Sequence, residues 1–223
     1  MIAQDDSPYH VVLDTETTGL SFASDRIIEI GCIKLKNKTP VSSFHSYIKP
    51  GIAIHPDAQR VHGITSEFLY DKPTFVEVYH DFLAFVDGST LVIHNAPFDM
   101  GFLQAELDRV GHPDRLDRLC HVIDTLTVAR KMFPGQKNTL DALCGRFGID
   151  LSHRSLHGAL KDADLLVKVF VQLTTHQQSL SLSDSKKHGG AQDCFRWTQS
   201  TELIRATDDE LALHEQWLAQ LKD

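Results

Sequence analysis

The residues Asp14-Thr15-Glu16 set two carboxylates two places apart at the end of the apolar run Tyr9-His10-Val11-Val12-Leu13. On a strand that spacing puts both acids on one face and Thr15 on the other. Such a pair either faces water at a turn, which Gly19 would help to make, or holds something positive. Further acids tip the balance. Asp99 follows His-Asn-Ala-Pro-Phe, at the start of a helix just past a short buried strand. Asp162 lies in the first turns of a long helix, beside Ala163, Leu165 and Leu166. His157 stands five residues earlier, ahead of Gly158. Five residues overshoot the three or four of one helical face, so the histidine works best from a mobile loop whose helix supplies the aspartate. Four carboxylates and one histidine converging at the C-terminal side of a sheet make a hard-cation site, suited to magnesium or manganese rather than zinc.

The elements that must carry these groups are legible in outline. Strands are expected over 9–14, 26–36 and 42–50, the last bounded by Pro40 and Pro50, as an antiparallel meander. Two short helical turns follow near 55–63. Thr74 and Glu77 form a capping box ahead of a helical pattern over 75–86. A short buried strand at 90–95 precedes a helix from Pro97 to about Val110. Residues 121–133 read as a strand feeding a helix, and 138–148 as a helix capped by Asn138 and ended by Gly148. A long helix spans 158–175. Three strands followed by alternating helices and strands give an α/β layer fold with a mixed sheet.

Past Thr175 the texture changes. Residues 176–193 are rich in Ser, Gln and Gly and are expected to form a flexible linker. Thr207 and Glu210 make a second capping box, and Leu211, His214, Trp217, Leu218 and Leu221 share a face of an amphipathic helix, too short to stand alone. It either folds back on the core or docks on a partner.

With 223 residues the chain supports one sizeable core and a small appendage. It contains no long apolar run, and its N-terminus, Met-Ile-Ala-Gln-Asp-Asp, lacks the basic and apolar regions of a signal peptide. The four cysteines have no metal-ligand spacing and are expected to be free thiols in a reducing cytoplasm. A net charge of −8 excludes a general nucleic-acid coating protein. It does not exclude an enzyme acting on nucleic acid, because bound cations reverse the local field.

Three motifs together, Asp-Thr-Glu-Thr-Thr-Gly-Leu at 14–20, His-Asn-Ala-Pro-Phe-Asp at 94–99 and His-Gly-Ala-Leu-Lys-Asp at 157–162, closely resemble the DEDDh family of 3′→5′ exonucleases. The likeness spans about residues 9–174 and is strongest to the proofreading (epsilon) branch that serves bacterial DNA polymerase III. It implies a ribonuclease-H-like fold, a mixed five-stranded sheet flanked by helices. It also implies that Asp14, Glu16, Asp99 and Asp162 bind two divalent cations, Mg²⁺ or Mn²⁺, and that His157 is the general base. The implied reaction is two-metal hydrolysis of the terminal phosphodiester, releasing nucleoside 5′-monophosphates from a single-stranded or frayed DNA 3′ end. A mismatched end costs less to unpair, which biases removal toward errors.

Substrate contacts are expected from Thr15, Thr17 and Thr18, as backbone or hydroxyl donors or else as structural strand-end residues, from Leu20 as a wedge against the last base, and from His62. Phe98 is placed either to stack on a base or in the core. His94 reads as a buried residue that orders the site. The resemblance further implies three segments: an exonuclease domain at 1–175, a linker at 176–200, and a polymerase-binding segment at 201–223. Gln177–Leu182 is similar to a sliding-clamp peptide, without its usual final aromatic. Residues 201–221 are similar to the segment that holds the alpha subunit of DNA polymerase III. A small theta-like subunit is a further implied partner, no membrane is, and the implied location is the cytoplasm, at the nucleoid-associated replisome. Two alternatives stay open: a free-standing DEDDh exonuclease in DNA repair or RNA turnover, and a non-catalytic nucleic-acid-binding module.

Overall fold

The computed structural model describes residues 7–152 and 156–184, with backbone alone over 176–184. Five strands form one sheet: β1 (Tyr9–Thr17), β2 (Ile27–Lys36), β3 (Thr39–Tyr47), β4 (Thr90–Ile93) and β5 (Val122–Asp124). Their order is β3-β2-β1-β4-β5. The first three run antiparallel, and β4 and β5 are parallel to β1. This is the mixed five-stranded sheet expected. The parallel strands are reached through helical crossovers, and all three end on the side where β1 delivers Asp14 and Glu16.

Alternation along the strands divides the core in two. On one face Val11, Leu13, Ile30 and Leu91 pack with α2 (Phe75–Val86) and α3 (Ala96–Arg109), through Phe82, Phe102 and Leu103. On the other, Val12, Ile33 and Val92 pack with α5 (Thr125–Met132), α6 (Leu140–Phe147) and α7 (Ala159–Asp184), through Leu166, Val169 and Phe170. A smaller cluster of Ile28, Ile54, Ile64 and Leu69 supports α1 (Pro56–His62). The Thr74–Glu77 capping box is formed at the start of α2.

One glycine governs how closely α7 meets the sheet. A methyl group built on Gly31 of β2 would lie 2.2 Å from the Leu160 nitrogen and 2.3 Å from the Ala159 carbonyl carbon. Backbone cannot yield as a side-chain tip can, so the helix start rests in a notch where β2 lacks a side chain. Asp162 follows within one turn. A Gly31→Ala chain is expected to lose about 1–3 kcal/mol of stability by overpacking and most of its nuclease activity, as the first turn of α7 lifts off the sheet. Thermal unfolding and turnover, measured on the same preparation, check this.

Several local expectations are corrected. Pro40 lies inside β3 rather than before it. An edge strand tolerates a missing N–H, and the register shifts beside it at Lys34/Leu35. The cap of α6 is Thr139, whose hydroxyl accepts from Ala142 N. Asn138 instead ties the preceding loop, donating to the Phe133 and Gln136 carbonyls while its oxygen accepts from Arg146. A short helix not anticipated, α4, covers Leu116–Leu119. Helix α7 continues to Asp184, nine residues past the expected end at 175; no Gly or Pro interrupts it before Gly189. Residues 176–184, expected in the linker, are therefore helical. The rest of the linker and 201–223 lie outside the described residues. Cys32, Cys120 and Cys144 are buried free thiols, and Cys194 lies outside the described residues.

Candidate active site

The four acids come from three separate elements. Asp14 and Glu16 project from the C-terminal half of β1, where the β1–β2 register shifts between Glu16 and Thr17. Such irregularities re-aim side chains at strand ends. Asp99 occupies the first turn of α3 and is 3% exposed; Asp162 occupies the first turn of α7 and is also 3% exposed. Both carboxylates sit where a helix N-terminus favours negative charge. Glu16, His157 and Asp162 present donor atoms that all lie within 4.8 Å of one another. His157 Nδ1 is 3.0 Å from Asp162 Oδ2. A carboxylate and imidazole set of this spacing, on a rigid floor, can hold a divalent cation.

The electrostatics mark the same place. Burial pushes the Asp14 carboxyl well above its ordinary range, and the charges of Asp99, Glu16, Asp162 and Glu29 push it further. Asp99 is pushed up to about 7, chiefly by burial, although the hydrogen bond from Thr15 opposes the shift. Acids crowded this way repel one another until cations arrive. Folding without cations is linked to protons accordingly. A carboxyl whose folded pKa is raised adds stability below its ordinary pKa, and that stability is lost as pH rises through about 7 for Asp99. The cation-free protein is therefore expected to melt at progressively lower temperature between about pH 5 and pH 8. The fall is up to about 1.4 kcal/mol per pH unit for each proton held only in the folded state. Magnesium and the Asp99→Asn substitution should each flatten that slope, which thermal scans across the range will read.

His157 lies in a segment tied to α1 rather than projecting on its own. Its backbone N–H donates to the Val61 carbonyl at 3.2 Å. Leu156 leans over Gly63, where a methyl group would come within 2.5 Å of Leu156 Cδ1. The ring itself remains open to solvent.

The threonine hydroxyls fill the structural role that stood open beside that of nucleotide donors. The Thr15 hydroxyl donates to Asp99 Oδ1 at 2.7 Å, so the side chain on the far face of β1 locks an acid of the cluster. The Thr17 hydroxyl donates to the Gly19 carbonyl at 2.6 Å. The Thr18 hydroxyl donates to Asp25 and accepts from Arg26 N. All three are buried, and these hydroxyl protons are engaged within the protein. His62 is buried, accepts the Ile64 N–H on Nδ1, and is kept below the usual imidazole range by burial. His94 Nδ1 pairs with Thr125 Oγ1 at 3.0 Å, and burial lowers its pKa, as suits an ordering residue.

Leu20 is 85% exposed on the loop that follows β1. That loop is braced. Asp25 accepts from Ser21 N and from Thr18, Phe22 meets Phe102 edge-on, and Arg26 forks onto Glu106 of α3 at 2.6 and 2.8 Å. Glu106 is 1% exposed and also receives Arg109, which reaches on to the Phe22 and Ala23 carbonyls. Phe98 is half-buried against Phe102, so both readings of it stand on one ring. Glu106→Ala strands Arg26 and is expected to cost about 3 kcal/mol, measurable in urea, with weakened binding of a DNA end and an intact acid cluster.

Two acids beside the site went unnoticed in the sequence. Asp124 caps α5, accepts the Asn95 N–H at 3.1 Å, and raises the Asp99 pKa. Its signal was an aspartate directly before a helical run. Glu29 interrupts the apolar strand Arg-Ile-Ile-Glu-Ile-Gly and is 3% exposed.

Comparisons with known proteins point to one family. A profile of the exonuclease family (RNase T) matches residues 11–170. DNA polymerase III subunit epsilon of Escherichia coli (strain K12) is 43% identical over 218 residues, covering 92% of this chain and 90% of that one. The subunit epsilon of Rickettsia felis is 45% identical over 219 residues, covering 95% and 96%. Among solved structures, exonuclease X in complex with 5′ overhanging duplex DNA superposes with a TM-score of 0.59 at 27% identity, over 75% of this chain and 92% of that chain. A zinc-bound E. coli ExoI–ssDNA complex matches in fold, with a TM-score of 0.65 at 20% identity over 82% of this chain and 43% of that one.

Proposed function

Because the chain belongs to the exonuclease family, with DNA polymerase III epsilon subunits as its relatives over nearly its whole length, we propose that it is a cation-dependent 3′→5′ exonuclease that proofreads DNA for a replicative polymerase. The observation that carries this reading is the meeting of Glu16, His157 and Asp162 within 4.8 Å, with Asp14 under the charge of Glu16 and Asp162.

Asp14, Glu16, Asp99 and Asp162 would hold the cations, Glu16 and Asp162 from the closely spaced set and Asp14 and Asp99 from beside it. Two magnesium or manganese ions, when bound, neutralise the phosphodiester and the charge that grows on the leaving 3′ oxygen. His157 takes the proton from the attacking water, and Asp162 orients its ring through Nδ1. Thr15 keeps Asp99 in place. Attack at phosphorus with departure of the 3′ oxygen releases a nucleoside 5′-monophosphate. Leu20, held out on its braced loop, and Phe98 meet the terminal base, and His62 lies behind the Thr17 segment that faces the 3′ end.

Residues 201–221 are assigned to the polymerase alpha subunit and 177–182 to the sliding clamp, on the sequence similarity described. The backbone of 177–182 lies within α7 and its side chains lie outside the described residues. A theta-like subunit is a third candidate partner. The nuclease unit is drawn to Asp184, with the linker beginning after it. Among the described residues no helix is long and apolar enough to cross a membrane.

The test is digestion of end-labelled matched and mismatched DNA beside RNA, with magnesium, with chelator, and with the polymerase subunit. Mismatched DNA should be shortened from its 3′ end, chelator should stop it, and a chain ended after Ser185 should cut yet fail to retain the polymerase. Cleavage that persists after complete cation removal overturns the reading.

A further inference from the structure

Glu29 has no task in the chemistry above, yet it is buried beside the cluster. It is the cross-strand partner of Glu16 on β2 and is 3% exposed. A buried carboxylate is costly unless hydrogen bonds hold it. One residue of the edge strand does so. His45 Nε2 lies 2.7 Å from Glu29 Oε1. Tyr47 is directly opposite Glu29 in the β2–β3 register. The His45 and Tyr47 rings meet edge-on, with centroids 4.8 Å apart, so Tyr47 braces the His45 ring.

The other carboxylate oxygen looks toward α7. A methyl group built on Gly158 would lie 3.8 Å from Glu29 Oε2, in van der Waals contact. Gly158 joins His157 to the helix, and its carbonyl accepts the Asp162 N–H at 2.9 Å. The Glu29 carboxylate thus lies near the residue that links His157 to the first helical turn. Its charge also suits the N-terminal turn of α7.

We propose that Glu29, held by His45, is a positioning residue that seats the His157–Gly158 turn and so keeps the His157 imidazole against Asp162. It acts through His157 and holds no cation itself. The inference rests on the exonuclease reading and deepens it.

The experiment uses the full chain with Glu29→Gln, which keeps the size, and His45→Ala, which removes the brace. Each should lower kcat on an end-labelled single strand about 10-fold, with KM and the calorimetric affinity for Mn²⁺ within about twofold of the parent. In a His157→Ala background, Glu29→Gln should add nothing, because residues that act as one unit are non-additive. In the cation-free protein, the imidazole NMR signal of His157 should move in Glu29→Gln while that of His94 stays. A full tenfold loss in the His157→Ala background overturns the proposal, as does a matching loss of Mn²⁺ affinity or an unmoved His157 signal. Absence of any cutting by the parent chain would instead remove the exonuclease reading, and the NMR comparison would still decide the positioning.

Discussion

An Asp14→Asn chain should stay folded and lose at least about 10³-fold in turnover, some 4 kcal/mol of transition-state stabilisation. Asp14 is central among the acids: Asp99, Glu16, Asp162 and Glu29 all raise its pKa, so all four lie within electrostatic reach. Neutralising it removes a buried charge that feels the acids of both helices. It also removes like-charge repulsion, so without cations the variant should melt no lower than the parent at pH 8. The rise in melting temperature that magnesium gives the parent should be absent. Activity thus falls while intrinsic stability holds or rises, a combination that a folding defect cannot produce. Thermal scans with and without magnesium, beside turnover, test it. A variant still stabilised by magnesium as strongly as the parent would retire the central role of Asp14.

His157→Ala should lower turnover by roughly 10²–10⁴-fold, the span of a lost general base, and leave cation affinity largely intact. The imidazole is exposed and its Nδ1 is turned to Asp162, while the buried carboxylates remain after its removal. The alternative in the same geometry is that His157 is itself a ligand, since its nitrogen lies within 4.8 Å of donors on Glu16 and Asp162. Calorimetry with Mn²⁺ separates the two. A large fall in affinity makes His157 a ligand, and an unchanged affinity with slow cutting makes it the base.

The layer order and the positions of the acids were legible because each rests on a local rule. Strand alternation paired Asp14 with Glu16, and helix-start patterns placed Asp99 and Asp162 in first turns. The supporting contacts are set by tertiary geometry that no local pattern encodes. Thr15 reaches Asp99 across 84 positions of sequence. Gly31 reads as a weak spot in a strand until the backbone of Ala159 and Leu160 is seen against it. Glu29 carries no local signal, because the sequence does not show that α7 covers that face of β2. Pro40 reads as a boundary because its tolerance depends on β3 being the edge.

The acids come from three widely separated stretches, with Asp162 and His157 last to be synthesised. A nascent chain that has emerged only as far as β5 already carries Asp14, Glu16 and Asp99, but neither the fourth acid nor the imidazole. On the mechanism proposed, such an intermediate cannot degrade nucleic acid. The order of translation therefore leaves the proposed site incomplete until α7 reaches its seat against Gly31.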